Sequence, residues 1–151
     1  MATGPSVPSQ AGLPLENASG EIRIANSLSE IARVADLVDS FGARHKFPNE
    51  VIVALNVSLD EILNNIISYA YEDARQHDIV VRLTLRGGSV EAVVEDDGRA
   101  FDPLAVAPPD LATQPRAIGG VGLHFVRKLT DEQSYARRDG INCLRLTKRL
   151  P

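Results

Sequence analysis

The sequence predicts an α+β fold, a two-layer α/β sandwich with helices on one face of a mixed, largely antiparallel sheet. The first observation is the order of segments, because helical and strand-like patterns are mixed without the regular alternation of a doubly wound sheet. The second is a pair of turn sequences, Gly87-Gly88 and Asp139-Gly140, each separating two alternating segments. Such turns mark antiparallel hairpins.

The length and composition fit one domain with a single core, since the chain has 151 residues of which 44% are hydrophobic. Residues 1–20 are rich in Pro, Gly, Ser and Ala, so we expect a flexible tail before a domain over residues 21–151. Residues 21–25 alternate like a short strand. A helix is expected after Ser27, a candidate cap, and Gly42 is expected to end this helix. The apolar positions of the helix are Ile31, Val34, Leu37, Val38 and Phe41.

A second helix is predicted from Pro48, which suits a first turn, to about residue 72. Its apolar residues recur every three or four positions, at Ile52, Leu55, Leu59, Ile62, Ile66 and Ala70. The remaining chain predicts strands at 78–86, 89–95, 132–138 and 141–149, and a third helix at 123–129.

The second helix carries one narrow polar stripe, formed by Ser58, Glu61, Asn65, Ser68 and Glu72. Apolar residues border it, with Val53, Val57 and Tyr71 on one side and Val51 and Tyr69 on the other, which indicates enclosure. An enclosed carboxylate and carboxamide need polar partners, and hydrated Mg²⁺ with phosphates would supply them. Glu61 would then serve as a general base and Asn65 as an oxygen ligand. A solvated face or an interhelical hydrogen-bond network would explain the same stripe.

Two further sequences point to a bound nucleotide. The strand before Asp96-Asp97-Gly98 ends at a turn, where one Asp would accept a hydrogen bond from an exocyclic amine such as adenine N6 and Gly98 would let the backbone approach the base. An ordinary turn explains this sequence equally well. Gly119-Gly120-Val121-Gly122, placed before a helix, would offer free N–H groups to phosphates, although a flexible hinge is the simpler explanation. It matches neither a Walker loop nor a dinucleotide fingerprint.

The bulk properties limit the function classes. A net charge of −4 argues against general nucleic-acid binding, and no long uninterrupted apolar run predicts a membrane span. Cys143 is the single cysteine, which suits a reducing compartment, so we expect a cytoplasmic protein. The segment after Phe101 holds Pro103, Pro108, Pro109 and Pro115 and is longer than most connections, as lids often are.

In order and spacing, Glu61-x-x-x-Asn65, Asp96-x-Gly98 and Gly120-x-Gly122-Leu123 resemble the N, first-glycine and second-glycine boxes of Bergerat-fold (GHKL) ATPases. The residues that flank these motifs, and the segment 139–144, are similar in sequence to the stand-alone anti-sigma-factor serine/threonine kinase branch. This resemblance covers residues 20–150. It implies an ATP- and Mg²⁺-dependent kinase that binds a sigma factor, phosphorylates a STAS-type anti-anti-sigma protein and forms a homodimer.

The resemblance also implies a role for each matching position. Glu61 would be the catalytic base and Asn65 the Mg²⁺ ligand, while Asp96 would bind the adenine amine and Gly98 would shape that pocket. The phosphate side would be formed by Gly120, Val121, Gly122 and Leu123, with residues 104–118 as the ATP lid. Two positions depart from the pattern: Ala100 stands beside the pocket where the superfamily often has glycine, and Ser68-Tyr69 replaces a stretch that often contains histidine.

Two other functions remain open on the sequence. One is a non-catalytic module that binds ATP only to set its shape for a partner. The other is a detached histidine-kinase ATPase domain, although the histidines His45, His77 and His124 do not lie in a two-helix dimerisation hairpin pattern.

Overall fold

The computed structural model describes residues 17–105 and 120–151. Its five described strands form one sheet in the order β1-β2-β3-β5-β4, and every neighbouring pair is antiparallel. The strands are β1 (Ala18–Ala25), β2 (Asp78–Arg86), β3 (Ser89–Asp96), β4 (Glu132–Arg138) and β5 (Ile141–Arg149). The helices are α1 (Ile31–Arg44), α2 (Asn49–Tyr69) and α3 (Gly120–Leu129), with short 3-10 turns at Leu28–Glu30 and Pro103–Ala105. The predicted α+β sandwich is confirmed.

Both predicted hairpins form, and their turns have the geometry that their sequences favour. Gly87 and Gly88 have φ values of 56° and 79°, and Asp139 and Gly140 have 53° and 79°. Positive φ at both central residues matches the twist of the flanking strands, and Gly or Asp adopts it at low cost. These two turns set the register of β2 against β3 and of β4 against β5.

The sheet has one buried and one open face. Alternate residues of β2 point into the core, whose central layer is Ile79, Val81, Leu83 and Leu85. The open face carries cross-strand ion pairs instead, such as Arg82 with Glu21 at 3.4 Å and Arg145 with Glu91 at 3.0 Å. Exposed pairs of this kind add little stability, so the helix-covered face holds the domain together.

Helix α2 is the central helix of the core. Its 21 residues have a mean hydropathy of 1.4 over an 18-residue window, which by length and composition alone would allow a membrane span. In the structure its apolar side packs in the core, where Leu55, Leu59 and Leu63 are fully buried. A core helix of a globular domain passes the same test, so this hydropathy reflects burial within the protein.

Helix α1 continues past Gly42, which was expected to end it, to Arg44. Gly42 is instead a packing position, because a Cβ there would lie 2.7 Å from Cγ1 of Ile52 on α2. The helix ends in a Schellman motif, where Phe47 N–H donates to the Gly42 carbonyl at 2.8 Å and Lys46 takes a φ of 56°. The prediction placed the glycine correctly near the end but gave it the wrong role.

The first strand begins at Ala18, three residues before the predicted strand over residues 21–25, so it includes the last residues of the predicted tail 1–20. Residues 18–20 pair with 83–85 of β2 through backbone hydrogen bonds, which composition does not reveal. Gly20 also lies beneath α1, since a Cβ there would be 3.2 Å from Cδ1 of Leu37. Residues 1–16 of the predicted tail lie outside the described residues.

Other predicted bounds shift by a few positions. Ser27 precedes the 3-10 turn and makes no side-chain cap bond, so α1 starts without the predicted serine cap. Pro48 is the N-cap residue of α2 and precedes its first turn. Helix α2 ends at Tyr69, short of residue 72.

Candidate active site

A cavity of about 340 Å³ opens between the C-terminal half of α2, the end of β3, the β4–β5 hairpin and α3. Its volume lies in the range of small-molecule pockets, which are mainly apolar with a few polar groups at fixed places. The residues that line it are Ile62, Asn65, Ile66, Tyr69, Ala70, Asp96, Arg99, Ala100, Phe101, Pro103, Leu123, Tyr135, Asn142 and Leu144. Four of the predicted site residues are among them: Asn65, Asp96, Ala100 and Leu123.

Asp96 ends β3 with its carboxyl group buried, at 5% exposure. Its Oδ1 accepts hydrogen bonds from Gly98 N–H at 2.9 Å and from Asn142 Nδ2 at 3.0 Å. Burial raises the pKa of Asp96, and these two bonds, with Arg137 nearby, oppose that rise. No described residue forms a hydrogen bond to Oδ2, which leaves an acceptor for a ligand amine.

Asn142 fixes the orientation of Asp96. The two residues lie opposite each other on β5 and β3, and Asn142 Nδ2 also donates to the Arg99 carbonyl at 2.9 Å. Its Oδ1 accepts from Arg137 Nη1 at 2.9 Å and from the Tyr135 hydroxyl. Every polar atom of this buried amide is therefore used, which favours a single orientation of the carboxylate it contacts.

Asn142 lies within the matching segment 139–144, but its sequence position predicts no role for it. One signal was present: an inward position of strand 141–149 holds an amide where its neighbours on that face are Leu144 and Leu146. A buried amide in an apolar row requires hydrogen-bond partners. Its partner Asp96 is 46 positions away, and only the β3–β5 register shows that the two meet.

Gly98 allows the turn after β3 to pass close to the end of α2. A Cβ at Gly98 would lie 2.5 Å from the Ala70 Cβ and 2.9 Å from the Ala70 carbonyl oxygen. The next residue, Arg99, donates a hydrogen bond from its backbone N–H to the Ala70 carbonyl at 2.9 Å. Its Nε–H donates to the Tyr69 carbonyl at 2.8 Å. These bonds cap the C-terminus of α2, which explains why the helix stops at Tyr69.

Glu61 and Asn65 form a directly bonded pair on α2. Asn65 Nδ2 donates to Glu61 Oε1 at 2.9 Å and to the Glu61 carbonyl at 2.8 Å. Both side chains are half-buried, and Asn65 reaches the cavity. The two side chains lie on the same side of the helix, as their spacing of one turn predicts, and the bond between them runs within one helix.

The rest of the polar stripe does not form one enclosed row. Ser58 is fully buried, and its Oγ has no hydrogen-bond partner among the described residues, whereas Ser68 is exposed and Glu72 lies beyond the helix end. The expected apolar borders are also interrupted, because Val53 and Val57 are 47% and 46% exposed. The stripe runs from the core at one end of α2 to solvent at the other, and only its middle reaches the site.

The glycine sequence begins helix α3 rather than preceding it. Gly120 is the first helical residue, so Gly120, Val121 and Gly122 lie in the first turn and the predicted start at Leu123 is three residues late. The first-turn N–H groups of a helix lack intrahelical partners whatever residue carries them, so the phosphate-binding hypothesis does not require a loop. Gly119 lies outside the described residues.

Gly122 packs directly on the carboxylate of Glu61. A Cβ at Gly122 would lie 1.8 Å from Glu61 Cδ and 1.9 Å from Oε1, a distance at which no side chain fits. The next residue, Leu123, is 4% exposed and forms part of both the core and the cavity wall. The structure therefore brings the second-glycine region and Glu61 together, as their predicted shared site requires.

Ala100, beside the pocket where glycine was expected, lines the cavity and is exposed. The predicted lid covers residues 104–118. All of it except residues 104 and 105 lies outside the described residues. At its beginning, the Leu104 carbonyl accepts a hydrogen bond from the guanidinium of Arg127 on α3. This bond connects the first residue of the predicted lid to the helix after it.

These residues fit an adenine nucleotide better than they fit a metal ion alone. The cavity is mainly apolar, and Asp96, whose Oδ2 has no hydrogen-bond partner among the described residues, is one of the few polar groups in its wall. Within the described residues there is no group of three His, Cys, Asp or Glu side chains able to hold a metal. A magnesium ion at Asn65 would therefore need phosphate oxygens and water to complete its coordination.

Comparison with known proteins agrees with this geometry. Residues 24–148 match the family model of the histidine kinase-like ATPase domain. The chain is 38% identical over 118 residues to the serine/threonine-protein kinase BtrW of Bordetella bronchiseptica, covering 74% of this chain and 75% of that protein. It is 24% identical over 127 residues to the serine-protein kinase RsbW of Bacillus velezensis, covering 80% and 79%.

The fold also matches a solved structure, a crystal structure of the RsbU and RsbW domains of a Mycobacterium tuberculosis protein. The TM-score is 0.65 at 20% identity, over 88% of this chain and 32% of that longer chain. The family model spans most of the sequence and the fold agrees with it. The chain therefore belongs to the histidine kinase-like ATPase domain family, in its branch of serine/threonine-protein kinases.

Proposed function

We propose that this chain is an ATP- and Mg²⁺-dependent protein serine/threonine kinase that acts as an anti-sigma factor and phosphorylates a STAS-type anti-anti-sigma protein. The observation that carries the proposal is the Glu61–Asn65 pair, joined at 2.9 Å on the helix that also lines the cavity. The kinase relatives support the reaction class.

The adenine end of the site would be defined by Asp96. Its Oδ1 is held by Gly98 and Asn142, so Oδ2 is left to accept the hydrogen bond of an exocyclic amine. Apolar side chains of Ile66 and Leu144 line the same cavity and would exclude water from the faces of a base. A buried carboxylate that lacks a donor rejects bases without an amine in this position.

Glu61 would act as the general base. Among the described residues its carboxylate accepts one hydrogen bond, from Asn65, and it is placed beside the first turn of α3. Because Nδ2 of Asn65 is used by Glu61, its Oδ1 is left as a hard oxygen ligand for Mg²⁺. Bound MgATP supplies the phosphoryl group and the charge neutralisation, whereas Glu61 takes the proton of the substrate serine.

Gly120, Val121 and Gly122 would bind the phosphates through the free N–H groups of the first turn of α3. A homodimer, a sigma-factor contact and the STAS partner follow from the resemblance of the motifs to the anti-sigma kinase branch. The free cysteine Cys143 suits a reducing compartment, so we place the chain in the cytoplasm.

The decisive experiment incubates the protein with ATP labelled at the γ-phosphate, Mg²⁺ and a purified STAS partner. Glu61→Gln keeps an oxygen that accepts the Asn65 hydrogen bond but removes the basic group. We expect phosphoryl transfer to fall by roughly 10²–10⁴-fold while ATP binding changes little. Asp60→Asn, on an exposed residue of the same helix, is the matched control and should transfer at the wild-type rate.

Three outcomes separate the alternatives. Transfer by Glu61→Gln at the wild-type rate would rule out a base role for Glu61. A wild-type protein that binds ATP but labels no partner would support a non-catalytic regulatory module. Acid-labile label on a histidine of the chain itself would indicate a detached histidine-kinase domain.

A further inference from the structure

His77 lies between two carboxylates just before β2. Its Nε2 is 2.7 Å from Asp73 Oδ1, and its Nδ1 is 3.1 Å from Asp97 Oδ1. Only 15% of its side chain is exposed. Asp73 belongs to the loop after α2 and Asp97 to the turn after β3, so the imidazole ring connects two separate segments of the chain.

The ring is held in this position from its other sides. The His77 N–H donates to Asn26 Oδ1 at 2.9 Å, and the His77 carbonyl accepts from Asn26 N–H at 3.0 Å. Its face stacks on Tyr71, with ring centres 4.4 Å apart and an angle of 20° between the planes. The backbone and the stacked ring therefore fix which way the two ring nitrogens point.

A neutral imidazole has one N–H, so it can donate to only one of the two carboxylates. The protonated ring donates to both and also neutralises part of their charge. The other ionisable groups around it are Tyr71 in the same loop, Arg75, which pairs with Asp73, and Asp78, which pairs with Arg23 on β1. Neither arginine forms an ion pair with Asp97 among the described residues, so the protonated ring is the cation that balances it.

The hydrogen bond to Asp73 raises the pKa of His77 most, the bond to Asp97 raises it further, and burial opposes both. This raised pKa determines how the stability of the folded protein depends on pH. A group whose pKa is raised by folding contributes its full stabilisation below the ordinary histidine pKa of about 6.5. That stabilisation is lost as the pH rises through the raised pKa of the folded protein.

The carboxylate that His77 holds belongs to the residue beside the adenine-binding group. Asp97 lies between Asp96 and Gly98, whose N–H donates to Asp96 Oδ1 at 2.9 Å. We propose that His77 is a positioning residue for the nucleotide site, which holds the Asp96–Gly98 turn in its binding geometry most firmly while the imidazole ring is protonated and donates to both carboxylates. The inference rests on the proposed function, because it requires Asp96 to bind the base.

The test is the pH dependence of nucleotide affinity, measured by calorimetry with MgADP from about pH 6 to about pH 9. We expect the affinity of the wild-type protein for MgADP to fall on the order of threefold to tenfold from the low to the high end of this interval. The fall should be larger than in His77→Gln. His77→Gln should bind weakly at low pH and show a flatter profile. The control His45→Gln, at a histidine that packs on Phe41 at the end of α1, should keep the wild-type profile.

Two further measurements do not depend on the folding of His77→Gln. In Asp73→Asn the histidine remains, and NMR titration of its ring should give a lower pKa than in the wild type. By linkage, MgADP should raise the pKa of His77 in the wild-type protein.

The possible failures are distinguishable. A wild-type protein that binds no nucleotide at any pH overturns the proposed function and this inference with it. Nucleotide binding with the same pH profile in wild type and His77→Gln overturns the inference alone, as does a His77 pKa that MgADP leaves unchanged.

Discussion

At the scale of single residues, the buried carboxyl group of Asp96 can accept a hydrogen bond from a ligand, but its burial lowers the stability of the folded protein. Its carboxyl group is buried, and burial raises its pKa because the charged form is less stable away from water. Asn142 and Gly98 hydrogen-bond one oxygen and leave the other without a described partner. A ligand amine at that oxygen would remove part of the cost, which is a source of binding energy available only in the complex.

This arrangement predicts opposite effects of Asp96→Asn on stability and binding. Because folding raises the pKa of Asp96, ionisation destabilises the folded protein at every pH above that raised value. We expect Asp96→Asn to unfold at the same temperature as the wild type or a few degrees higher near pH 7. Nucleotide affinity should fall by roughly 10²-fold, because the amide would present a donor to a donor.

Thermal unfolding and calorimetry with MgATP check both halves of this prediction. Glu95→Gln is the matched control, since Glu95 lies on β3 and faces the open side of the sheet. It should leave both quantities near the wild-type values. Tight nucleotide binding by Asp96→Asn would show that the base is bound elsewhere.

Several site residues could be predicted from the sequence because their signal is local. Glu61 and Asn65 are one helical turn apart, so their meeting follows from helix geometry alone. Asn142 could not be assigned, since its partner belongs to another strand and the register of β3 with β5 is set by the whole sheet. The contacts of His77 could not be predicted either, because Asp97 comes near it only after folding.

At the scale of elements, the first turn of α3 and the middle of α2 act as one unit. Gly122 lies against the Glu61 carboxylate in this contact, and a methyl group at Gly122 would overlap with the carboxylate atoms. The position of the base and the position of the proposed phosphate site are therefore coupled. A shift of either helix would move both.

A double-mutant cycle measures this coupling. Gly122→Ala should destabilise the wild type by about 1–3 kcal/mol, because the added methyl group forces α3 away from Glu61. In a Glu61→Ala background the overlap is gone, and the higher helix propensity of alanine should make the same change neutral or stabilising by about 0.5–1 kcal/mol. Urea unfolding of the four proteins gives both values. Equal effects in the two backgrounds would mean that the helices do not touch at this point.

Element types could be predicted from periodicity and turn chemistry, whereas element ends could not. Both hairpins follow from their turn sequences and the positive φ values those residues tolerate. The end of α1 depends on the packing of Gly42 against Ile52, and the start of β1 depends on pairing with β2. Both are tertiary contacts, which a local pattern does not contain.

At the scale of the whole molecule, the site lies where sequence-distant elements meet at one edge of the sheet. The cavity takes residues from α2, the end of β3, the β4–β5 hairpin and α3. The fold class could be predicted, because it depends on the order and type of the elements. The cavity could not, because its walls come from segments up to 82 positions apart, from Ile62 to Leu144.

Because the site joins so many elements, a bound nucleotide should stabilise the whole domain, and Mg²⁺ should contribute through Asn65. At a free MgATP concentration of about a hundred times Kd, binding adds about 2.7 kcal/mol to the free energy of unfolding. We expect a rise of several degrees in the unfolding temperature, and a smaller rise when EDTA removes Mg²⁺. In Asn65→Ala the rise in unfolding temperature with ATP should be the same with and without Mg²⁺, since the side chain proposed to bind the metal has been removed.

Asn64→Ala is the matched control for this experiment. Asn64 is the neighbouring amide on α2, and its Nδ2 donates only to the Asp60 carbonyl among the described residues. It should keep the wild-type dependence on Mg²⁺. If the Mg²⁺ dependence survives in Asn65→Ala, the metal is held by other groups, and Asn65 serves only to orient Glu61 through their 2.9 Å hydrogen bond.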